Sequence, residues 1–312
     1  MKKFRIIWLV MASVVTLLFG IYCVFDFLKT DADGPVISGG GDHIEVSIRD
    51  GEDVLMEGIT AMDAKDGDVT DSLIVEKISN FYDDNLRTVT YAAFDSDNHI
   101  SKVEREISYK DYTGPRFELS GSLRFRAGEN VNIDKIVTAQ DCLDGDLSSK
   151  IKIRMETTIN NRMIGFYQVD YVVTNSAGDT EVLPIEIEIY EPVNNEVELN
   201  LDRYLIYYDG KEPEYTDYLV NIRKGNLEYA FEGTEAAENL TTETTEETEE
   251  TEDEAASEET ESASQIIPKS RVRVESLVDA SQPGVYPVYY HYTEERENYI
   301  VTAKEVLYVV VE

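Results

Sequence analysis

The chain has 312 residues, room for two or three domains, and its 20 tyrosines within a 10 % aromatic share provide material for packed cores. Its formal net charge is −35. A surface that acidic lacks the basic patch phosphates require, which excludes nucleic acid or an anionic lipid surface as the main partner and leaves multivalent cations and basic partners open.

The first element is apolar. Ile6 to Phe25 runs for 20 positions without a charge. At about 1.5 Å per residue it covers the roughly 30 Å of a bilayer's hydrocarbon core. Lys2, Lys3 and Arg5 precede the run, and Asp26, Asp31 and Asp33 follow it with Lys29 between. Positive flanks stay in the cytoplasm. We therefore expect a cytoplasmic tail over 1–5, a transmembrane anchor over 6–28, and a single-pass cell-membrane protein with its C-terminal bulk extracytoplasmic. With five residues ahead of the span, no cytoplasmic module is expected. The competing reading is a cleaved signal peptide, whose apolar region is shorter and ends in small residues. This segment closes Ile21-Tyr22-Cys23-Val24-Phe25, and Tyr22 is a poor predecessor for a lipid-modified cysteine. The other cysteine, Cys142, lies far along the chain, so no disulfide framework is expected.

Beyond the anchor the chain repeats itself at a period of about 80 residues. Gly34-Pro35-Val36-Ile37 returns as Gly114-Pro115-Arg116-Phe117. The stretch Ala61 to Val69, containing Asp63, Asp66, Gly67 and Asp68, returns as Ala139 to Leu147, containing Asp141, Asp144, Gly145 and Asp146. Val89-Thr90-Tyr91 returns as Val169-Asp170-Tyr171. A third copy is signalled by Gly284 to Thr293, which aligns with Gly165 to Thr174 at an offset of 119 residues. An insertion of roughly 35 residues accounts for the extra length, and the Asp-Gly-Asp turn has no counterpart there. The expected domains are 34–111, 114–191, and a divergent 196–312 interrupted by an acidic insertion over 232–266.

Within each copy the period is that of strands. Val89, Tyr91 and Ala93 share one face, as do Val169, Tyr171 and Val173, and Val288, Tyr290 and Tyr292. Ile185 to Ile189 alternates apolar and acidic, as a half-buried antiparallel strand does. Asp50-Gly51, Asp66-Gly67, Asp144-Gly145 and Asp209-Gly210 mark turns. About seven short strands per 80 residues predicts an all-β chain of tandem Ig-like β-sandwiches.

These motifs resemble the bacterial Ig-like repeat family named after a pesticidal crystal protein. Its units read Pro-x-Ile, then Ala-x-Asp-x-x-Asp-Gly-Asp, then Gly-x-Tyr-x-Val-x-Tyr. Residues 114–191 match more fully, through Gly165, Tyr167, Val169 and Tyr171; residues 34–111 lack the glycine before that strand. The two copies cover half the chain. The resemblance implies an Ig-like sandwich on bacterial surface proteins and no single activity.

Three features carry chemistry. Asp63, Asp66 and Asp68, and again Asp141, Asp144 and Asp146, gather three carboxylates around a glycine, the kind of hard oxygen donors Ca²⁺ takes. The order is not that of an EF-hand, and the alternative is a tight turn in which Asp caps its own backbone. Calcium stays open as the one cofactor, with Asp95 and Asp97 as extra donors in the first copy. Second, residues 193–312 hold twelve of the twenty tyrosines, including Tyr204, Tyr207, Tyr208, Tyr215 and Tyr218. They make either a contact surface or, the reading we favour for most, a strand-rich core. Third, Glu232 to Ile266 carries fourteen acidic residues and no Lys or Arg. So polar a tract cannot offset its chain entropy, and disorder is expected.

No HExxH, GxSxG or P-loop occurs, and His43, His99 and His291 are scattered. The expectation is a non-enzymatic surface protein whose Ig-like domains mediate extracellular interaction or adhesion with a protein or glycan, through the distal tyrosine-rich domain. The alternative is a structural spacer or scaffold subunit of an envelope complex, rigidified or not by calcium.

Overall fold

A computed structural model of the chain describes residues 2–29, 33–83, 85–191, 197–224, 227–235, 237–238, 266–296 and 299–312. The expected acidic insertion falls mostly, and the expected linker Pro192-Val193-Asn194 entirely, outside the described residues. The first element is helix α1 (Lys2–Lys29). Its stretch Ile6–Phe25 is 0 % buried and is long and apolar enough to cross a membrane. Thereafter the described chain is strand and turn, apart from the four-residue helix α2 (Glu52–Leu55), the helical residues Glu235, Ala237 and Glu238, and single 3₁₀ turns. Two compact units result, Met1–Thr113 and Gly114–Glu312.

In the first unit, β1 (Val36–Ser38), β3 (Thr60–Asp63) and β4 (Gly67–Asp68) form one sheet. The other takes β2 (Ile44–Val46), β7 (Ile100–Tyr109), β6 (Leu86–Phe94) and β5 (Ile74–Ile78), in that order. Val89, Tyr91 and Ala93 of β6 face inward with Val46, Ile59, Ala61 and Ile107, and all of them are buried.

The second unit holds two such sandwiches. One pairs β8 (Arg116–Leu119), β10 (Val137–Asp141) and β11 (Gly145–Asp146) against β9 (Arg124–Arg126), β12 (Lys152–Met155), β13 (Gly165–Thr174) and β14 (Thr180–Tyr190). The other sets β15 (Glu198–Leu201), β17 (Leu219–Lys224), β18 (Leu227–Phe231) and β19 (Ile266–Ile267) against a second sheet. That sheet contains β16 (Leu205–Tyr207), β20 (Val272–Ser276), β21 (Gly284–Arg296) and β22 (Tyr299–Val311).

One connection recurs in all three sandwiches. The first strand pairs antiparallel in one sheet, then the chain crosses over and runs parallel beside the last strand of the other. It does so as β2 along β7, β9 along β14 and β16 along β22. This switch closes the side of the sandwich and gives each the Ig-like form.

In the second unit the two sandwiches share one hydrophobic core cluster that runs from Phe117 to Val310. Tyr207 Oη accepts a hydrogen bond from Phe117 N at 2.8 Å, and the Arg116 guanidinium stands 4.7 Å over its ring. Tyr308 Oη accepts from Glu186 N at 3.2 Å and donates to Glu186 O at 3.0 Å. Arg116 reaches Glu312 at 2.7 Å and Arg126 reaches Glu198 at 3.0 Å. The second and third sandwiches are therefore fused into one body.

Candidate functional sites: the aspartate turns and the junction cleft

The two Asp-Gly-Asp turns adopt the same construction. Gly67 and Gly145 sit at φ of 77° and 70°, a conformation where a Cβ is costly. Asp63 Oδ1 accepts from Lys65 N and Asp66 N, both at 2.8 Å, and Asp141 Oδ1 accepts from Leu143 N and Asp144 N, both at 2.9 Å. Asp68 accepts from Thr70 N at 3.0 Å and Asp146 from Ser148 N at 2.9 Å. The middle aspartates reach across to the turn that follows the central strand. Asp66 takes Ser96 N at 2.8 Å and Ser96 Oγ at 2.9 Å, while Asp144 takes Ser176 N at 2.8 Å and Ser176 Oγ at 2.6 Å. The Ser176 hydroxyl, with Lys150 at 3.0 Å adding to it, holds the Asp144 carboxyl below its ordinary value.

Each of these carboxylates accepts at least one protein donor, and the middle pair, Asp66 and Asp144, staple one turn to another. Among the described residues no group of three or more His, Cys, Asp or Glu side chains is placed to hold a metal ion. The copies differ at the second oxygen of the first aspartate. Asp141 Oδ2 accepts from Asn175 Nδ2 at 3.1 Å, whereas Asp63 Oδ2 is buried without a partner. The first copy has Asp95 where the second has Asn175, and Asp95 is turned to His99 at 2.7 Å.

The tyrosines of the third sandwich mostly serve its core. Tyr204, Tyr215, Tyr290, Tyr292 and Tyr308 are buried, and Tyr207 packs partly buried against the same cluster. These rings therefore fill the core, the reading favoured for most of them.

One histidine is better connected than its sequence context indicates. His43 Nε2 lies 3.0 Å from Ser108 Oγ and His43 Nδ1 lies 3.1 Å from Glu106 Oε1, while Tyr82 Oη donates to Glu106 Oε2. β2 runs parallel to β7, which carries Glu106 and Ser108 two residues apart on one face, and His43 precedes β2 directly. His43 and Glu106 keep almost half of their side-chain surface in solvent.

A concave feature of the second unit lies where its two sandwiches meet. Leu123, Arg124, Phe166, Glu186 and Glu188 line one side, and Tyr289, Lys304, Glu305, Val306 and Tyr308 the other. Arg124 Nε pairs with Glu188 at 2.7 Å, its Nη1 donates to Lys304 O, and its guanidinium stacks 4.4 Å over Tyr190. Lys304 Nζ lies 3.6 Å from Glu188 and 5.6 and 5.5 Å from the Phe166 and Tyr289 ring centres. Phe166, with Met163 and Ile164 just before it in the chain, is largely exposed.

Glu305 stands at the base of this cleft, 5 % exposed. Its Oε1 accepts from Ser122 Oγ and from Val306 N, both at 3.0 Å. Burial pushes its carboxyl up to about 7, against smaller opposing effects of those donors and of Arg124. The signal was present in the sequence. Val301, Ala303, Leu307, Val309 and Val311 form the inward row of β22, and Glu305 interrupts that row.

No family model matches the chain, and no curated protein matches it. Solved structures similar to it include the CBM51-2 and INT domains of Clostridium perfringens ZmpB in complex with GlcNAc, at 19 % identity and a TM-score of 0.20. That match covers 48 % of this chain and 26 % of the other. The protocadherin gammaB7 EC3-6 cis-dimer structure matches over 90 % of this chain and 74 % of its own, at 10 % identity and a TM-score of 0.20. The protocadherin gammaB4 extracellular domain matches over 90 % and 50 %, at 9 % identity and a TM-score of 0.19. The chain thus spans about a quarter of the ZmpB structure, and TM-scores this low carry no argument about its role.

Proposed function

We propose that the chain is a non-enzymatic, membrane-anchored surface protein of bacterial type, whose Ig-like sandwiches mediate extracellular interaction or adhesion. The observation that carries this reading is the exposed apolar run beside the junction cleft. Met163, Ile164 and Phe166 are each about 60 % exposed and stand within four residues of one another, and Phe166 lines the cleft itself. Clustered apolar side chains rimmed by charged ones are what a protein or glycan contact uses. The helix over Ile6–Phe25 supports anchorage, with the sandwiches outside the cytoplasm by the charge on its flanks. The first two sandwiches are proposed as members of the bacterial Ig-like repeat family that their motifs resemble.

A spacer or scaffold role is the second reading, favoured by the core that runs unbroken through the second and third sandwiches. The two are separated by capture from native envelope and from glycan arrays, using the full chain in lipid nanodiscs with and without Phe166→Ala and Ile164→Ser. Partner capture by the wild type that drops at least tenfold in the double variant supports interaction through this face. Capture that both proteins share equally removes the face from the reading, and partners trapped only through crosslinks at Cys23 favour the scaffold.

A further inference from the structure

Glu305 is a buried acid at an internal joint, and the groups around it decide what its proton does. From the second sandwich, Ser122 gives it a hydroxyl donor, and Arg124 is the nearest cation. That cation is committed to Glu188 at 2.7 Å, to Lys304 O and to the Tyr190 ring. β14 adds two more carboxylates, Glu186 and Glu188, and Glu188 disfavours a second negative charge nearby. On β22 itself Lys304 points to the opposite face and lies 3.6 Å from Glu188. Opposite Glu305 on β21 stands Tyr290, whose hydroxyl is given to Tyr215 O at 2.9 Å. Tyr289 and His291, on the outer face of β21, neighbour Lys304 rather than Glu305. Tyr204, before β16, accepts from Leu201 N at 3.3 Å, and Glu198 of β15 is paired with Arg126 and Arg223. Ionised, Glu305 would be a charge in a low-dielectric joint whose cations are already spent.

The cheapest way to hydrate that charge is fixed by the topology. β21 covers one side of β22 along its full length, and the core lies beneath. On the other side β16 pairs only with Tyr308, Val309 and Val310. The edge at residues 304 and 305 is covered instead by Ser122 and Arg124 of the neighbouring sandwich. Solvent entering the cleft would meet Glu305 once that short segment lifts away.

We propose that the joint between the second and third sandwiches is a proton-operated lock, closed while Glu305 is protonated and loosened when it ionises. A folded carboxyl raised from 4.5 to about 7 contributes stability that is fully present below 4.5 and lost as pH rises through 7. If the opened joint returns Glu305 to its ordinary value, the closed-to-open ratio falls by at most about 300-fold across that window.

The experiment uses the full chain in nanodiscs with Cys23→Ser, spin-labelled at Cys142 on the second sandwich and at Leu277→Cys on the third. The inter-label distance distribution is expected to be narrower at pH 5.5 than at pH 8.5, an interval across which the closed-to-open ratio falls by about 30-fold. Glu305→Gln, which mimics the protonated acid, stays narrow at both. Should that variant not fold, Glu305→Leu restores the apolar row and serves the same purpose. A His291→Gln control keeps the wild-type response. A wild-type distribution that does not change with pH, broadening retained in Glu305→Gln or Glu305→Leu, or a response lost in His291→Gln overturns the proposal.

Discussion

Three tyrosines stand at equivalent points of the three sandwiches, and their hydroxyls have different fates. Tyr91 donates to Leu55 O, and Tyr290 donates to Tyr215 O at 2.9 Å. Tyr171 Oη is buried with no partner. All three rings are fully buried, and burial raises each phenol above its ordinary value. Replacing Tyr by Phe removes only the hydroxyl, so the series isolates the bond from the packing. Tyr290→Phe loses a hydrogen bond and orphans a carbonyl, a cost of about 1–3 kcal/mol. Tyr91→Phe should cost a similar amount in the first unit. Tyr171→Phe relieves an unpaired buried hydroxyl, whose desolvation costs about 1–3 kcal/mol, and should therefore be neutral or stabilising by about 1 kcal/mol. The assay is thermal unfolding of the full chain in detergent at pH 7, at roughly 2–4 °C per kcal/mol for a unit of this size. A Tyr171→Phe variant as destabilised as Tyr290→Phe would refute the reasoning, since it would mean that the hydroxyl is satisfied.

Asp144→Ala should destabilise the second unit by about 1 kcal/mol, because it removes the acceptor of the exposed Ser176 amide and hydroxyl, which water then satisfies. The Asp144 carboxyl is held below 3.8, so its contribution is complete above that value and is lost as pH falls through the folded one. The wild-type and Asp144→Ala melting curves should therefore converge only in strong acid; a gap between them that persists there contradicts the assignment. Adding EDTA should leave both units' melting temperatures unchanged, because the turn carboxylates already accept protein donors; a rise of several degrees with millimolar calcium would support the calcium-rigidified stalk instead. Ser108, although bonded to His43, should not be labelled by a fluorophosphonate, since the group lies on the open outer face of its sheet. Stoichiometric labelling lost in Ser108→Ala would reverse the non-enzymatic proposal.

Much of the fold could be read along the chain because strands write their burial locally. An alternation with period two names its inward row without reference to any partner, so Val89-Tyr91-Ala93, Val169-Tyr171-Val173 and Val288-Tyr290-Tyr292 were assignable before any coordinate. Twenty uncharged residues likewise specify an apolar helix by themselves. The aspartate turns were legible as turns, since Asp and Gly act there on their own neighbours.

What crosses between distant segments was not legible. The Asp66–Ser96 and Asp144–Ser176 staples join residues 30 and 32 apart, and the Ser108–His43–Glu106 series joins strands from opposite ends of the first unit. The fusion of the second and third sandwiches rests on contacts such as Phe117 with Tyr207 and Arg124 with Lys304, which no local pattern announces. Glu305 belongs to both categories. Its misplacement in an apolar row is a property of the sequence alone. That it lies against Ser122 of another sandwich, with its cations engaged elsewhere, was decided only by the packing, because the cost of a buried charge depends on every group that surrounds it.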